Sequence, residues 1–233
     1  KDIQAKIERL KTNKIKYELL AEKLKASGEP QISTTDEDAR ALLVQGVVVE
    51  VSYNIQAAVD NKHNLVVATH TINRNDLNAL GAIALEAKEN LAVETFTVLV
   101  DKGYHNGREI AQCKKHNITT IVAHPTPGRS KESVTQPEYL VAQFQYNKSD
   151  DTYTCPQGET LKTTGKWHKK SGRTEQSGYQ FKKYRTPACK ECPVKHLCTS
   201  RTAGREIDRS QYADAVEENN KRYQENPQLY RTR

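Results

Sequence analysis

The chain has 233 residues, 36% of them hydrophobic and 28% charged, and a formal net charge of +7. That length suits one domain with an insertion or two small domains, and the composition is polar without being that of a disordered chain. No run approaches the roughly 20 apolar residues of a membrane span, and no basic-then-apolar leader points to secretion, so a membrane protein is excluded and a cytoplasmic one expected.

The chain opens on Lys1 and contains no methionine, which predicts an internal piece of a longer protein. Residues 1–25 read as a helix: Ile3, Leu10, Tyr17 and Leu24 recur every seven residues, with Ile7, Lys14 and Ala21 between them, the seam of a coiled-coil-like rod. Gly28 and Pro30 stop it. Overlapping Ser/Thr-x-x-acid caps over Ser33–Asp38 predict a short helix to about Leu43. Residues 47–60 alternate, with Val49, Val51, Tyr53, Ile55, Ala57 and Val59 on one face, and predict a long strand half-buried on that face. Asp60–Asn64 is turn chemistry, and 65–72 returns as the second strand of a hairpin. Asp76 is placed to cap a helix with the stripe Leu77, Leu80, Ala84, Ala87 and Leu91. A βαβ unit follows: strand 95–100, a helix opened by an Asn106–Glu109 capping box, and strand 118–123. Hairpin, helix, strand, helix, strand is the order of a ribonuclease-H-like α/β core lacking its first strand.

From 128 to about 204 the composition turns to Gly, Pro, Ser, Lys and Cys, with strands expected at 139–146 and 179–185. Helical character returns over 208–225. Four segments result: a helical arm (1–45), the α/β core (46–127), a small cysteine-rich insertion (128–204) and a helical return to the core (205–233).

Charge is uneven. Residues 162–209 hold 13 Lys/Arg against 4 Asp/Glu, a polyanion-facing surface. Trp167, Tyr179, Phe181 and Tyr184 lie among the lysines as base or sugar contacts would require, with Lys169, Lys170, Lys182 and Lys183 as phosphate contacts. Asp101, in Val98-Leu99-Val100-Asp101-Lys102-Gly103-Tyr104, ends an apolar strand at the edge where α/β sheets bind ligands, and a carboxylate there suits a divalent metal. On position alone a turn aspartate is the simpler reading. Cys189-x2-Cys192-x5-Cys198, with Cys155 upstream, favours metal over disulfides. Four thiolates suit structural zinc. An iron–sulfur staple and an unligated knuckle stay open, with His196 as a substitute ligand. Cys113 reads as core. The seven histidines are scattered and none is assigned to catalysis.

Ile32-Ser33-Thr34-Thr35-Asp36-x-Asp38-Ala39-Arg40, Tyr53-Asn54-Ile55-Gln56-Ala57-Ala58-Val59-Asp60-x-Lys62-His63 and Asp101-Lys102-Gly103-Tyr104-x-Asn106 resemble bacterial insertion-sequence transposases of the DDE class. Tyr153-x-Cys155-Pro156-x-Gly158, Cys189-x2-Cys192-Pro193 and Cys198-Thr199 resemble the branch with a cysteine-bearing insertion. Ser52 departs from the usual glycine before the Tyr-Asn pair. The resemblance implies a metal-dependent enzyme that cuts DNA at transposon ends and transfers the strand, using two aspartates and a glutamate to hold two Mg2+ ions. It implies double-stranded DNA (ends and target) as partner and admits a homodimer. Asp101 matches the second aspartate; the first is expected upstream of Lys1, with Asp60 only shaping its turn. Tyr230 and Arg233 match the start of a Tyr-x2-Arg-x3-Glu-x6-Lys signature, so the glutamate is expected four residues beyond Arg233 and the piece alone is expected to be inactive. The rival reading is a non-catalytic, zinc-stabilised DNA-binding module.

Overall fold

The computed structural model describes residues 2–44, 47–125, 135–169 and 178–231. The chain is mixed α/β and divides into two compact units, one of residues 1–123 with 228–233, the other of residues 124–227.

The first unit opens with helix α1 (Asp2–Ser27), as its heptads predict, and α1 buries none of its side chains. The helix expected over 33–43 does not form. Asp36 N donates to Ser33 Oγ (3.2 Å) and Asp38 N to Asp36 Oδ1 (3.1 Å), so these side chains close turns in competition with a helix. Arg40–Val44 instead forms strand β1, antiparallel to β2 (Val48–Ser52).

The long strand expected over 47–60 is two strands, β2 and β3 (Asn54–Val59), separated at Tyr53. β3 and β4 (Val66–Ile72) form the expected hairpin. Asp60 closes its turn, accepting from the N–H groups of Lys62, His63 and Leu65. The burial is the reverse of the expectation: Val49 and Ile55 are 63% and 69% exposed, whereas Gln56 is 2% exposed. Period-two alternation distinguishes two faces without saying which one meets the core. Here small Ala58 and Ala68 let Ile83 and Ala87 of helix α2 (Leu80–Asn90) close onto the Gln56 side.

Asp76 does not cap α2. Asn75 Oδ1 accepts from Leu77 N (3.3 Å) to start a single 3-10 turn, and Ala79 leads into α2 with no side-chain cap. Glu109 of helix α3 (Gly107–Lys115) supplies it, its Oε2 accepting from Gly81 N at 2.8 Å. The capping box at Asn106 is therefore half-formed: Asn106 accepts from Arg108 N (3.0 Å), while Glu109 is buried against α2. Of the expected stripe, Leu80, Ala84 and Ala87 are buried and Leu77 and Leu91 exposed. Strands β5 (Phe96–Val100) and β6 (Ile118–Val122) pair in parallel across α3, the expected βαβ unit. Cys113 is core, and burial pushes its thiol up to about 12. Among the described residues β3–β4 and β5–β6 remain separate two-stranded sheets.

The second unit is a six-stranded antiparallel sheet of β7 (Gln145–Asn147), β8 (Thr152–Thr154), β9 (Thr160–Thr163), β10 (His168–Lys169), β11 (Gln180–Arg185) and β12 (Ile207–Ser210), with β11 pairing β9, β10 and β12. Helix α4 (Lys195–Cys198) lies between β11 and β12, α5 (Ala213–Glu225) follows β12, and α6 (Pro227–Arg231) begins where the second unit ends. Two 3-10 turns over 137–143 take the place of most of the strand expected at 139–146. The helix expected from 208 starts at Ala213, because 207–210 pairs with β11. Residues 205–227 fall in the second unit, and 228–233 in the first. Phe144, Tyr153, Leu161, Tyr184 and Ile207 make the core. Tyr184 is fully buried and Phe181 nearly so, so neither is available to a base.

These burials give a direct comparison. Ile83→Ala should cost about 2–5 kcal/mol of stability by opening a cavity, whereas Ile55→Thr should change it by less than about 0.5 kcal/mol. Urea unfolding of the 233-residue chain measures both, and equal losses would contradict the orientation of the hairpin.

Candidate functional site

Asp101 follows β5 at its carboxyl end and starts a 3-10 turn over Lys102–Tyr104. Its Oδ1 accepts from Gly103 N at 2.8 Å, so the turn role is present. Its Oδ2 has no hydrogen-bond donor among the described residues. One oxygen is thus anchored and one left to a ligand, and a carboxylate oxygen is the hard donor that Mg2+ takes. The donor type fits the metal that the resemblance implies.

A second carboxylate stands beside it, one that sequence reasoning assigned to a helix cap. Asp76 Oδ1 accepts from Asn54 Nδ2 (2.7 Å) and Gln56 Nε2 (3.0 Å). Gln56 Nε2 also donates to Asn54 Oδ1 (2.9 Å), and Tyr104 donates its hydroxyl to Gln56 Oε1. Gly103 sits between the carboxylates: a Cβ built there would lie 3.0 Å from Asp101 Oδ1 and 3.1 Å from Asp76 Oδ2. A side chain there would push both carboxylates back by a few tenths of an ångström. Asn54, Gln56 and Asp101-x-Gly103-Tyr104, which the sequence shows as separate motifs, therefore form one assembly. Tyr53 likewise meets Asp36, donating to its carboxylate at 2.9 Å; that bond holds the Asp36 carboxyl below the usual range. The signal for Asp76 was available in sequence only as an acid flanked by Asn75 and Leu77.

In the second unit Cys155, Cys189, Cys192 and Cys198 line one pocket with Tyr139, Phe144 and Arg205. Gly204, in the left-handed region at φ 95°, lies so close under Cys189 that a Cβ there would stand 2.4 Å from Cys189 Cβ. Burial pushes the Cys198 thiol up; the Arg205 guanidinium pulls it down and the other three thiols oppose that. Among the described residues no three His, Cys, Asp or Glu side chains are arranged to hold a metal ion. The thiols are gathered without being converged, and His196 does not line their pocket.

The basic side chains fall into two groups. Lys182 donates to Asp151 (2.6 Å), which also accepts from Tyr146 and Tyr184. Lys183, Arg185 and Arg201 converge on Glu206, whose side chain is 7% exposed. Arg209 is buried against Asp214 and Glu217 over the Tyr146 ring. Lys162, Lys166, Lys169 and Lys190 are exposed with no ion-pair partner among the described residues. Trp167 is half-exposed, and Lys182 lies over its ring at 5.2 Å. Lys170 and Arg233 lie outside the described residues, as does the side chain of Tyr230.

A family model described as a transposase DDE domain matches residues 50–222. No curated protein and no solved structure matches the chain.

The ion pairs set an acid limit on stability. The Arg201, Lys183 and Arg185 cations hold the Glu206 carboxyl at about 2 against its ordinary 4.5, over the opposing effect of burial. Asp151 is held at about 2 against 3.8 by Lys182 and two tyrosines. Carboxylates lowered in the folded state stabilise fully above their unfolded values and lose that contribution as pH falls through the folded ones. Unfolding midpoints measured from pH 5 to pH 2 should therefore fall steeply. Glu206→Gln should lower neutral-pH stability by about 1–3 kcal/mol and flatten that slope.

Proposed function

The chain belongs to the transposase DDE domain family, and from that premise we propose that its first unit is the catalytic core of an insertion-sequence transposase, with Asp101 as a metal-binding carboxylate. Transposition in general, with the DNA binding and divalent-metal dependence it requires, comes with the family. The observation that carries the assignment is the position of Asp101: the carboxyl end of a parallel strand, one oxygen anchored by Gly103 N and the other without a donor. When bound, a pair of Mg2+ ions supplies activation of the attacking oxygen and charge stabilisation at the leaving one. Asp101 holds the cation, and its anchored oxygen keeps the carboxylate from rotating away.

The two small sheets are parts of a ribonuclease-H-like sheet completed by a further strand between β3 and β5. What supports this is that neither β3 nor β5 has a second backbone partner among the described residues, while Tyr104 and Gln56 join them through side chains. That strand would carry the first aspartate of the site. Asp101 by itself cannot satisfy two octahedral oxygen shells, so further carboxylates would complete the metal site.

The second unit is a basic DNA-binding insertion held by structural zinc. Cys155, Cys189, Cys192 and Cys198, gathered on one pocket, are the donor set that would hold zinc and tie the segments bearing them together. Phosphates are met by Lys162, Lys166 and Lys169, which are exposed and unpaired, more than by Lys182 and Lys183, which already face carboxylates.

In the full-length protein, Asp101→Asn should reduce Mg2+-dependent cleavage of a plasmid carrying the parent element by on the order of 10²–10³-fold, equivalent to several kcal/mol of lost charge stabilisation. DNA affinity by gel shift should be unchanged. Cleavage near the wild-type rate would reject the role of Asp101.

Elemental analysis of the purified chain should give one zinc per molecule and no acid-labile sulfide. Cys155→Ser should weaken zinc retention against a chelator by about tenfold or more. Iron with sulfide would favour the cluster, and absence of any metal would leave the thiols unligated.

A further inference from the structure

We infer that Asp76 is a positioning residue for Asp101, acting through an amide relay that ties the 101–104 turn to strand β3. The inference rests on the assignment of Asp101 as a metal-binding carboxylate.

Three features carry it. The first is a buried polar chain with every amide position determined. Gln56, 2% exposed, turns its Nε2 to Asp76 Oδ1 and Asn54 Oδ1, which leaves its Oε1 to accept from Tyr104. Asn54 turns its Nδ2 to Asp76 Oδ1 and to the Arg74 carbonyl at 3.1 Å. Reversing either amide would set like groups against each other, so the relay has one arrangement.

The second is where the relay runs. It starts on β3, passes through the turn before α2 and ends on the turn after β5, crossing between two sheets that share no backbone hydrogen bond among the described residues. The hydrogen bond from Tyr104 and the close approach of Asp76 at Gly103 both act on the second half of the 101–104 turn.

The third is the geometry at Gly103. Asp76 Oδ2 and Asp101 Oδ1 flank the same point beside its Cα, at 3.1 and 3.0 Å. Both amides bind Asp76 Oδ1, which fixes the direction of Oδ2 and brings it to the turn that anchors Asp101. Outer groups of this kind, bonded to the segment that bears a ligand, typically change metal affinity or activity by about 10–100-fold when removed.

The test uses the full-length protein, a supercoiled plasmid carrying the parent element, and a Mg2+ titration. Asp76→Asn, Gln56→Met and Tyr104→Phe should each lower the maximal cleavage rate by about tenfold or more and raise the half-saturating Mg2+ concentration several-fold, with DNA affinity nearly unchanged and with rate losses larger than any loss of folded fraction at the assay temperature. Tyr104→Phe removes only a hydroxyl and serves if the other two fold poorly. The double variant Gln56→Met/Tyr104→Phe should be no worse than the more impaired single, because both break one relay. Wild-type Mg2+ dependence in these variants, multiplicative losses in the double, or losses that follow the unfolded fraction would overturn the inference. Asp76→Asn as inactive as Asp101→Asn at every Mg2+ concentration would overturn it too, making Asp76 a ligand. An active Asp101→Asn would instead defeat the assignment on which it rests, and the two failures are read from different variants.

Discussion

The hydrogen bonds that Asp76 accepts from Asn54 and Gln56 are the constraint on which the first unit turns. A glutamine buried on a strand must be fully bonded, because a buried amide left unpaired costs on the order of 1–3 kcal/mol. Gln56 meets that requirement by facing Asp76, Asn54 and Tyr104, so the polar side of β3 faces inward and its apolar side outward. The same bonds draw the turn before α2 and the turn after β5 to one place. With Asp76 turned toward β3, α2 is left without a local cap, and Glu109 reaches over from α3 to supply it. One network thus accounts for the orientation of the hairpin, the glycine at 103 and the buried glutamate on α3.

The exposed row of Val49, Ile55, Val59 and Val66 is the complement of that arrangement. Isolated exposed aliphatics are ordinary on protein surfaces, but here they line successive outward positions of β2, β3 and β4. A contiguous apolar face of this kind is what a sheet shows where another layer packs.

The second unit solves a different problem. Its strands are short and its core small, and three ion-pair hubs supplement that core: Asp151 with Lys182 and two tyrosines, Glu206 with three cations, and Arg209 with Asp214 and Glu217. Much of the basic excess is therefore paired within the unit. A charge held at 2.6 Å by a partly buried aspartate is a poor phosphate ligand, since breaking that pair would leave a carboxylate uncompensated. The exposed lysines on β9 and beyond it keep the charge that DNA would meet.

Local patterns in the sequence were sufficient for α1, the β3–β4 hairpin, the parallel βαβ unit and the place of Asp101, because heptads, turn residues and strand-end position depend on neighbours a few residues apart. The cysteine spacing was likewise sufficient to group four thiols. The inward face of β3 was beyond it, since alternation is symmetric between faces until α2 and its alanine contacts choose one. So was the turn at 33–39, where Ser33 and Asp36 could cap a helix or close a turn, and only the pairing of β1 with β2 decides. Asp76 reads as a cap from its own segment, and its partners lie 20 and 22 residues away on β3. Lys182 and Lys183 read as free charges because Asp151 and Glu206, which hold them, are brought near only by the antiparallel sheet.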